Sequence, residues 1–153
     1  MKKIGILDTD VLIDILDELY NIDKSSFNNV VDHLLLKYDQ VWIPKKVKDE
    51  FCYRHSEQSK IENFIDGKDV IRDCPIGVGE NDRKLLMPEI DEGEADGIMQ
   101  ARKTGDYQKY QFYECVFISG DGQATIKGKD MDVETIHYWK FKDELMKKGV
   151  IRT

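Results

Sequence analysis

Short aliphatic runs separated by stretches of helical periodicity restrict the fold of this chain more than any other feature. Residues 3–8 ("KIGILD"), 40–44 ("QVWIP"), 69–73 ("DVIRD"), 115–119 ("CVFIS") and 132–136 ("DVETI") read as strands. Between them, residues 11–20 ("VLIDILDELY"), 25–38 ("SSFNNVVDHLLLKY") and 91–103 ("DEGEADGIMQARK") read as helices, with Ser25 or Ser26 capping the second and Asp91 the third. Pro44 can open a further helix over 45–65 with a break near 56–59, and a last helix follows at 138–148. Residues 74–94, with two of the three prolines and several glycines, read as loop plus one short helix. Strands alternating with helices predict an α/β fold. Its mostly parallel sheet of about four or five strands would be covered by helices on both faces.

The 153 residues suit one domain spanning 1–153, large enough for a core but too short for two. No apolar run approaches the roughly 20 residues that cross a bilayer. The two lysines of "MKKIGILDTD" lead into an apolar stretch cut short by acids, so the segment reads as a strand of a cytoplasmic protein and not as a signal peptide. Cys52, Cys74 and Cys115 form no C-x-x-C pair, and His33, His55 and His137 are scattered, so spacing supports neither a zinc site nor a Cys-His nucleophile. Chemistry in this chain rests on carboxylates.

Open α/β sheets hold their sites at the carboxyl ends of the strands. Asp8 ends the first strand, and Asp121 in "VFISGDGQA" lies just past the "CVFIS" strand. Asp10 follows Asp8 by two residues, placed either beside it or in the first helical turn, where an Asp caps free N–H groups. Glu50 falls on the helix after the second strand, on a face with Val47, Phe51 and Arg54. Asp91-x-x-Glu94 has the form of a capping box. Yet helical stepping also puts Glu94 on the stripe of Ile98 and Ala101, with Asp96 about 200° away.

In order and rough spacing, "ILDTDVLID", "WIPKKVKDEF", "DEGEADGIMQA" and "VFISGDGQA" resemble the motifs of PIN-domain nucleases over nearly the whole chain. The resemblance implies a PIN-like fold and a divalent-metal-dependent ribonuclease. Asp8, Glu50, Glu94 and Asp121 would be its acidic site, Asp10 an added ligand and Asp96 a further candidate. Asp10 stands where the family more often has Asn, and "SGDG" replaces its T-D-D or T-x-D form. Mg²⁺ and Mn²⁺ take oxygen ligands, so carboxylates suffice to hold them. Crowded carboxylates repel one another unless a cation or protons compensate them. The resemblance also implies RNA as substrate, an antitoxin partner if the chain is a toxin of a type II pair, and a homodimer.

The net charge of −7 disfavours a nucleic-acid partner unless metal ions offset the acids. Phosphate contacts are expected from Lys45 and Lys46 with Lys48, from Arg102 and Lys103, or from Lys127 and Lys129. Two rival readings stand beside this one. "ILDTD" and "ISGDG" also resemble the motifs of haloacid-dehalogenase-type phosphatases, with Asp8 as nucleophile and Asp10 as acid/base, although the second acid expected after the G-D pair is absent. The other rival is a non-catalytic RNA-binding or antitoxin-binding module, which has no need of all four acids.

Overall fold

The computed structural model describes residues 2–55, 58–66 and 70–151. Five strands, β1 (Lys2–Leu7), β2 (Gln40–Ile43), β3 (Ile71–Asp73), β4 (Tyr113–Ser119) and β5 (Glu134–His137), form one sheet in the order β3-β2-β1-β4-β5. Every pairing is parallel: Gly5 lies opposite Val41 and Val116, Trp42 opposite Arg72, and Phe117 opposite Thr135. The parallel α/β fold expected from the alternation is the fold observed.

The strands show how a two-sided sheet uses continuous apolar runs. Successive side chains point to opposite faces, so Leu7, Val41, Ile43, Val116 and Ile118 join one core, while Ile4, Ile6, Trp42 and Phe117 join the other. The first core is closed by α1 (Thr9–Ile13), its π-helical continuation Asp14–Leu19, α3 (Lys24–Lys37), α4 (Lys45–His55), α5 (Gln58–Asp66) and α9 (Tyr138–Lys147), while the short α2 (Tyr20–Ile22) between them has no buried residue. The second is closed by the segment around α6 (Glu80–Lys84), by α7 (Glu92–Thr104) and by α8 (Gly122–Asp130). Among the described residues, no helix is long and apolar enough to cross a membrane.

The α3 cap and the start of β4 depart from the sequence reading. Asp23, not Ser25 or Ser26, caps α3: its carboxylate accepts from Ser25 N at 3.0 Å and from Ser26 Oγ at 3.0 Å, so one side chain satisfies both groups. The break expected near 56–59 separates α4 from α5, and residues 56 and 57 lie outside the described residues, as does residue 69 of the strand expected at 69–73. β4 begins at Tyr113, two residues early, because Lys2 and Lys3 of β1 extend the ladder to Tyr113 and Glu114.

Strand order sets the position of the site. From β1 the chain moves outward through β2 and β3, then returns to β4 on the other side of β1, so the order reverses between β1 and β4. A crevice opens at the carboxyl ends of strands where an open sheet reverses in this way. The backbone closes across that point through Asp8 N–H, which donates to Ile118 O at 3.0 Å.

Behind the crevice, α7 lies close on β4 because residue 97 is glycine: a Cβ there would overlap the ring of Phe117, which is fully buried. Gly97→Leu is expected to cost roughly 1–3 kcal/mol by overpacking, measured as a lower denaturation midpoint in urea, whereas an unchanged midpoint would show that this helix–sheet contact is not tight.

Candidate metal centre

Three helix N-termini meet at the switch point, and an acid caps each of them. Asp8 caps α1, its Oδ1 accepting from Thr9 N at 2.7 Å. Asp91 caps α7, its Oδ1 accepting from Glu94 N at 2.8 Å. Asp121 caps α8, its Oδ1 accepting from Gln123 N at 2.8 Å and Ala124 N at 3.1 Å. Each carboxylate thus takes up orphan N–H donors and sits at the positive end of a helix dipole.

Asp8 is also gripped from β4. Ser119 Oγ donates to its Oδ2 at 2.6 Å, and Asp121 N–H donates to Ser119 Oγ at 3.0 Å, so one hydroxyl couples the two acids that end neighbouring strands. Asp10 lies in the first turn of α1; the cap is Asp8. Its Oδ2 accepts from Gly120 N at 2.9 Å, while its Oδ1 is sealed from solvent with no hydrogen-bond partner among the described residues. Glu94 closes the capping box, its Oε1 accepting from Asp91 N at 3.0 Å. The same side chain is buried and turned toward Asp8, so the capping role and the interior position left open by the sequence hold together.

Carboxylate oxygens of Asp8, Asp91 and Glu94 all lie within 4.8 Å of one another. Such crowding disfavours ionisation. Burial first, then the Asp10 charge, raises Asp8 well above the usual carboxylate range. Burial also raises Asp10, with Asp121 adding to the effect. Glu94 is pushed up to about 7 by burial and by the charges of Asp91, Asp121 and Asp10. An all-oxygen donor set, mutual repulsion and the orphaned Asp10 Oδ1 are what a hard divalent cation would satisfy together.

The remaining expected residues fall around this cluster. Glu50 stands beside it with both oxygens engaged, Oε2 accepting from Thr9 Oγ1 at 2.7 Å and Oε1 from Gly93 N at 2.8 Å. It therefore ties α4 to the helices that present Asp8 and Glu94. Residue 93 must be glycine for this approach, since a Cβ there would come within 2.8 Å of the Glu50 carboxylate. Asp96 is buried but belongs to another group: its Oδ2 accepts from Lys46 N at 3.0 Å, at the start of α4.

Lys46 pairs with Glu92 at 3.5 Å and Lys127 with Glu89 at 2.6 Å, while Lys45 and Lys129 are exposed. Lys127 and Lys129, close to Asp121 in sequence, occupy the opposite end of α8, about 9–12 Å along its axis. Trp42 and Tyr138 are core residues, and Trp139 is 41% exposed beside Gly120.

Sequence reasoning treated Asp91 only as a cap and passed over Ser119. Asp91 was recoverable from the capping box, which brings a cap carboxylate next to the glutamate it pairs with. Nothing local marks Ser119, whose role depends on β4 lying beside β1.

No protein-family model matches the chain, and no curated protein matches it. Among solved structures it is similar to a PilT N-terminus domain protein of the hyperthermophilic archaeon Sulfolobus solfataricus P2, at 14% identity and a TM-score of 0.48, over 98% of this chain and 96% of that one.

A carboxyl raised in the folded state stabilises the fold below its unfolded value and loses that contribution as pH rises through the folded one. For Glu94 the window runs from 4.5 to about 7. In EDTA, the melting temperature is expected to fall by several degrees between pH 5 and pH 8, to recover with Mn²⁺ at pH 8, and to flatten in Glu94→Gln. A pH-independent, Mn²⁺-insensitive melting temperature would show that the acids do not repel as described. Glu50→Ala, which leaves Thr9 Oγ1 and Gly93 N–H without their acceptor, is expected to cost about 1–3 kcal/mol in the same assay, and Glu50→Gln substantially less.

Proposed function

We propose that this chain is a divalent-metal-dependent nuclease of the PIN type that hydrolyses RNA phosphodiesters. The observation that carries this reading is the convergence of Asp8, Asp91 and Glu94 within 4.8 Å at the carboxyl ends of β1 and β4, with Asp10 and Asp121 close enough to shift them. Mg²⁺ or Mn²⁺ fits the oxygen donors, and RNA is the substrate implied by the resemblance of the four motifs to PIN-domain nucleases.

Asp8, Asp91 and Glu94 would hold the ion, with Asp10 near enough for its charge to act on both Asp8 and Glu94. When bound, a divalent cation supplies positive charge that favours ionised water near neutral pH and offsets charge developing on phosphate oxygens. The chain's contribution is preorganisation. Ser119 Oγ and Thr9 N–H fix the two oxygens of Asp8, Gly120 N–H fixes Asp10, and the capping box fixes Glu94. Glu50 holds the first turns of α1 and α7 in register from behind. Asp121, exposed at the head of α8, borders the crevice on the β4 side, where an approaching phosphodiester or water would meet it.

A toxin paired with an antitoxin, and a homodimer, are finer versions of the same proposal. The −7 net charge makes metal loading a precondition for holding a polyanion at this edge of the sheet.

The test incubates the protein with single-stranded and structured RNA and with a generic phosphomonoester, in Mg²⁺, Mn²⁺ or EDTA. Metal-dependent RNA cleavage is expected, with loss of at least 10²-fold in Asp8→Asn and in Glu94→Gln. Phosphomonoester hydrolysis that survives Glu94→Gln would instead identify a phosphatase with Asp8 as nucleophile. RNA binding without cleavage, unchanged in Asp8→Asn, would identify a binding module.

A further inference from the structure

β5 ends next to β4 at the carboxyl edge of the sheet, and the chain turns there into α9. His137, the last residue of β5, lies opposite Ser119, whose hydroxyl holds Asp8. The first turn of α9 carries two large aromatic residues that differ in burial. Tyr138 is fully buried and, with Leu145 and the partly buried Phe141, forms the stripe by which α9 closes the first core. Trp139 lies about 100° around the helix from Tyr138. It is 41% exposed and stands outside both cores of the described residues.

This exposed ring is nevertheless held in place. A Cβ on residue 120 would overlap both Trp139 Nε1 and Asp10 Oδ2, so the glycine leaves room for the indole edge and the carboxylate to stand side by side over one Cα. The N–H of the same glycine donates to Asp10 Oδ2 at 2.9 Å. Lys142 Nζ lies over the indole, 5.4 Å from its centroid, and is itself tied to the buried Asp14 at 2.8 Å. The Tyr138 ring meets the indole at 66°, with centroids 5.1 Å apart. Ordering a free side chain on binding weakens affinity; here the fold has ordered it beforehand.

We propose that Trp139 is a stacking platform for one base of the RNA substrate, adjacent to the phosphate engaged at the acidic cluster. Asp10 links the indole to that cluster: it shares Gly120 with Trp139, and its charge acts on both Asp8 and Glu94. A base is joined to its phosphate through a single ribose, so a nucleotide engaged at the cluster brings its base to the neighbouring wall, where the indole is open to solvent. Stacking on an aromatic side chain accepts all four bases, because each has a π-face. The platform therefore positions the strand without reading its sequence.

The inference takes its substrate from the nuclease reading, but the fluorescence of Trp139 tests the platform without cleavage. The other tryptophan of the chain, Trp42, is fully buried in the second core, so Trp139 reports a bound base. The protein in Mg²⁺ is titrated with the four nucleoside 5′-monophosphates and with ribose 5-phosphate, which keeps the sugar and the phosphate but has no base. Saturable quenching by all four nucleotides is expected, with little change on adding ribose 5-phosphate. In RNA cleavage, Trp139→Leu, which keeps apolar packing against Gly120 but has no ring, should raise KM at least fivefold with kcat little altered, and Trp139→Phe should restore most of the native KM. A residue that only packs would behave differently: its loss would displace Asp10 and lower kcat, and Leu would serve as well as Phe. Emission unchanged by nucleotides, equal quenching by ribose 5-phosphate, or a native KM in Trp139→Leu would each overturn the proposal. Nucleotide quenching without RNA cleavage would sustain the platform and remove the nuclease reading; RNA cleavage with a native KM in Trp139→Leu would do the reverse.

Discussion

Asp8 connects three parts of the molecule, and the candidate site depends on those connections. Its N–H joins β1 to β4 through Ile118 O, its Oδ1 starts α1 through Thr9 N, and its Oδ2 receives the Ser119 hydroxyl from the end of β4. A residue that ends a strand, opens a helix and bridges to the neighbouring strand has little freedom to move. Its carboxylate is therefore fixed at the point where the sheet order reverses, and the other acids are arranged relative to it.

Helix N-termini explain how so many acids can share so small a space in a folded chain. Asp8, Asp91 and Asp121 each cap a helix, Glu50 accepts from Gly93 N at the start of α7, and Asp96 accepts from Lys46 N at the start of α4. Backbone N–H groups and helix dipoles offset part of the mutual repulsion, while burial first and neighbouring charges second still raise Asp8, Asp10 and Glu94. Capping and ligation are compatible roles because a carboxylate has about four acceptor positions, and the N–H and hydroxyl donors take only some of them.

Those uses also separate the acids by role. Asp8, Asp91 and Glu94 meet, one oxygen of Asp10 has no hydrogen-bond partner among the described residues, and Asp121 is exposed at the head of α8. Each oxygen of Glu50 accepts one hydrogen bond, and the two tie α4 to α1 and α7. Asp96 lines, with Arg83 and Gln100, a neighbouring pocket of about 330 Å³. Glu92, paired with both Lys46 and Arg83, is the hinge between the acidic cluster and that pocket.

The sequence by itself determined the order of strands and helices, the two-sided burial of the sheet, and the strand-end positions of Asp8 and Asp121. All of these follow from local periodicity and from the general rule for open α/β sheets. It also brought out Glu94, whose place on the stripe of Ile98 and Ala101 implied the interior. Contacts between segments far apart in the chain were decided only by the tertiary structure. Ser119 reaches Asp8 because β4 pairs with β1; Glu50 is spent on Thr9 and Gly93 because α4 packs against α1 and α7. Lys127 and Lys129 lie far from Asp121 because the helix between them runs away from the crevice. Periodicity reports which face of an element is buried. Which oxygen of a carboxylate is already bonded depends on which segments the fold brings beside it.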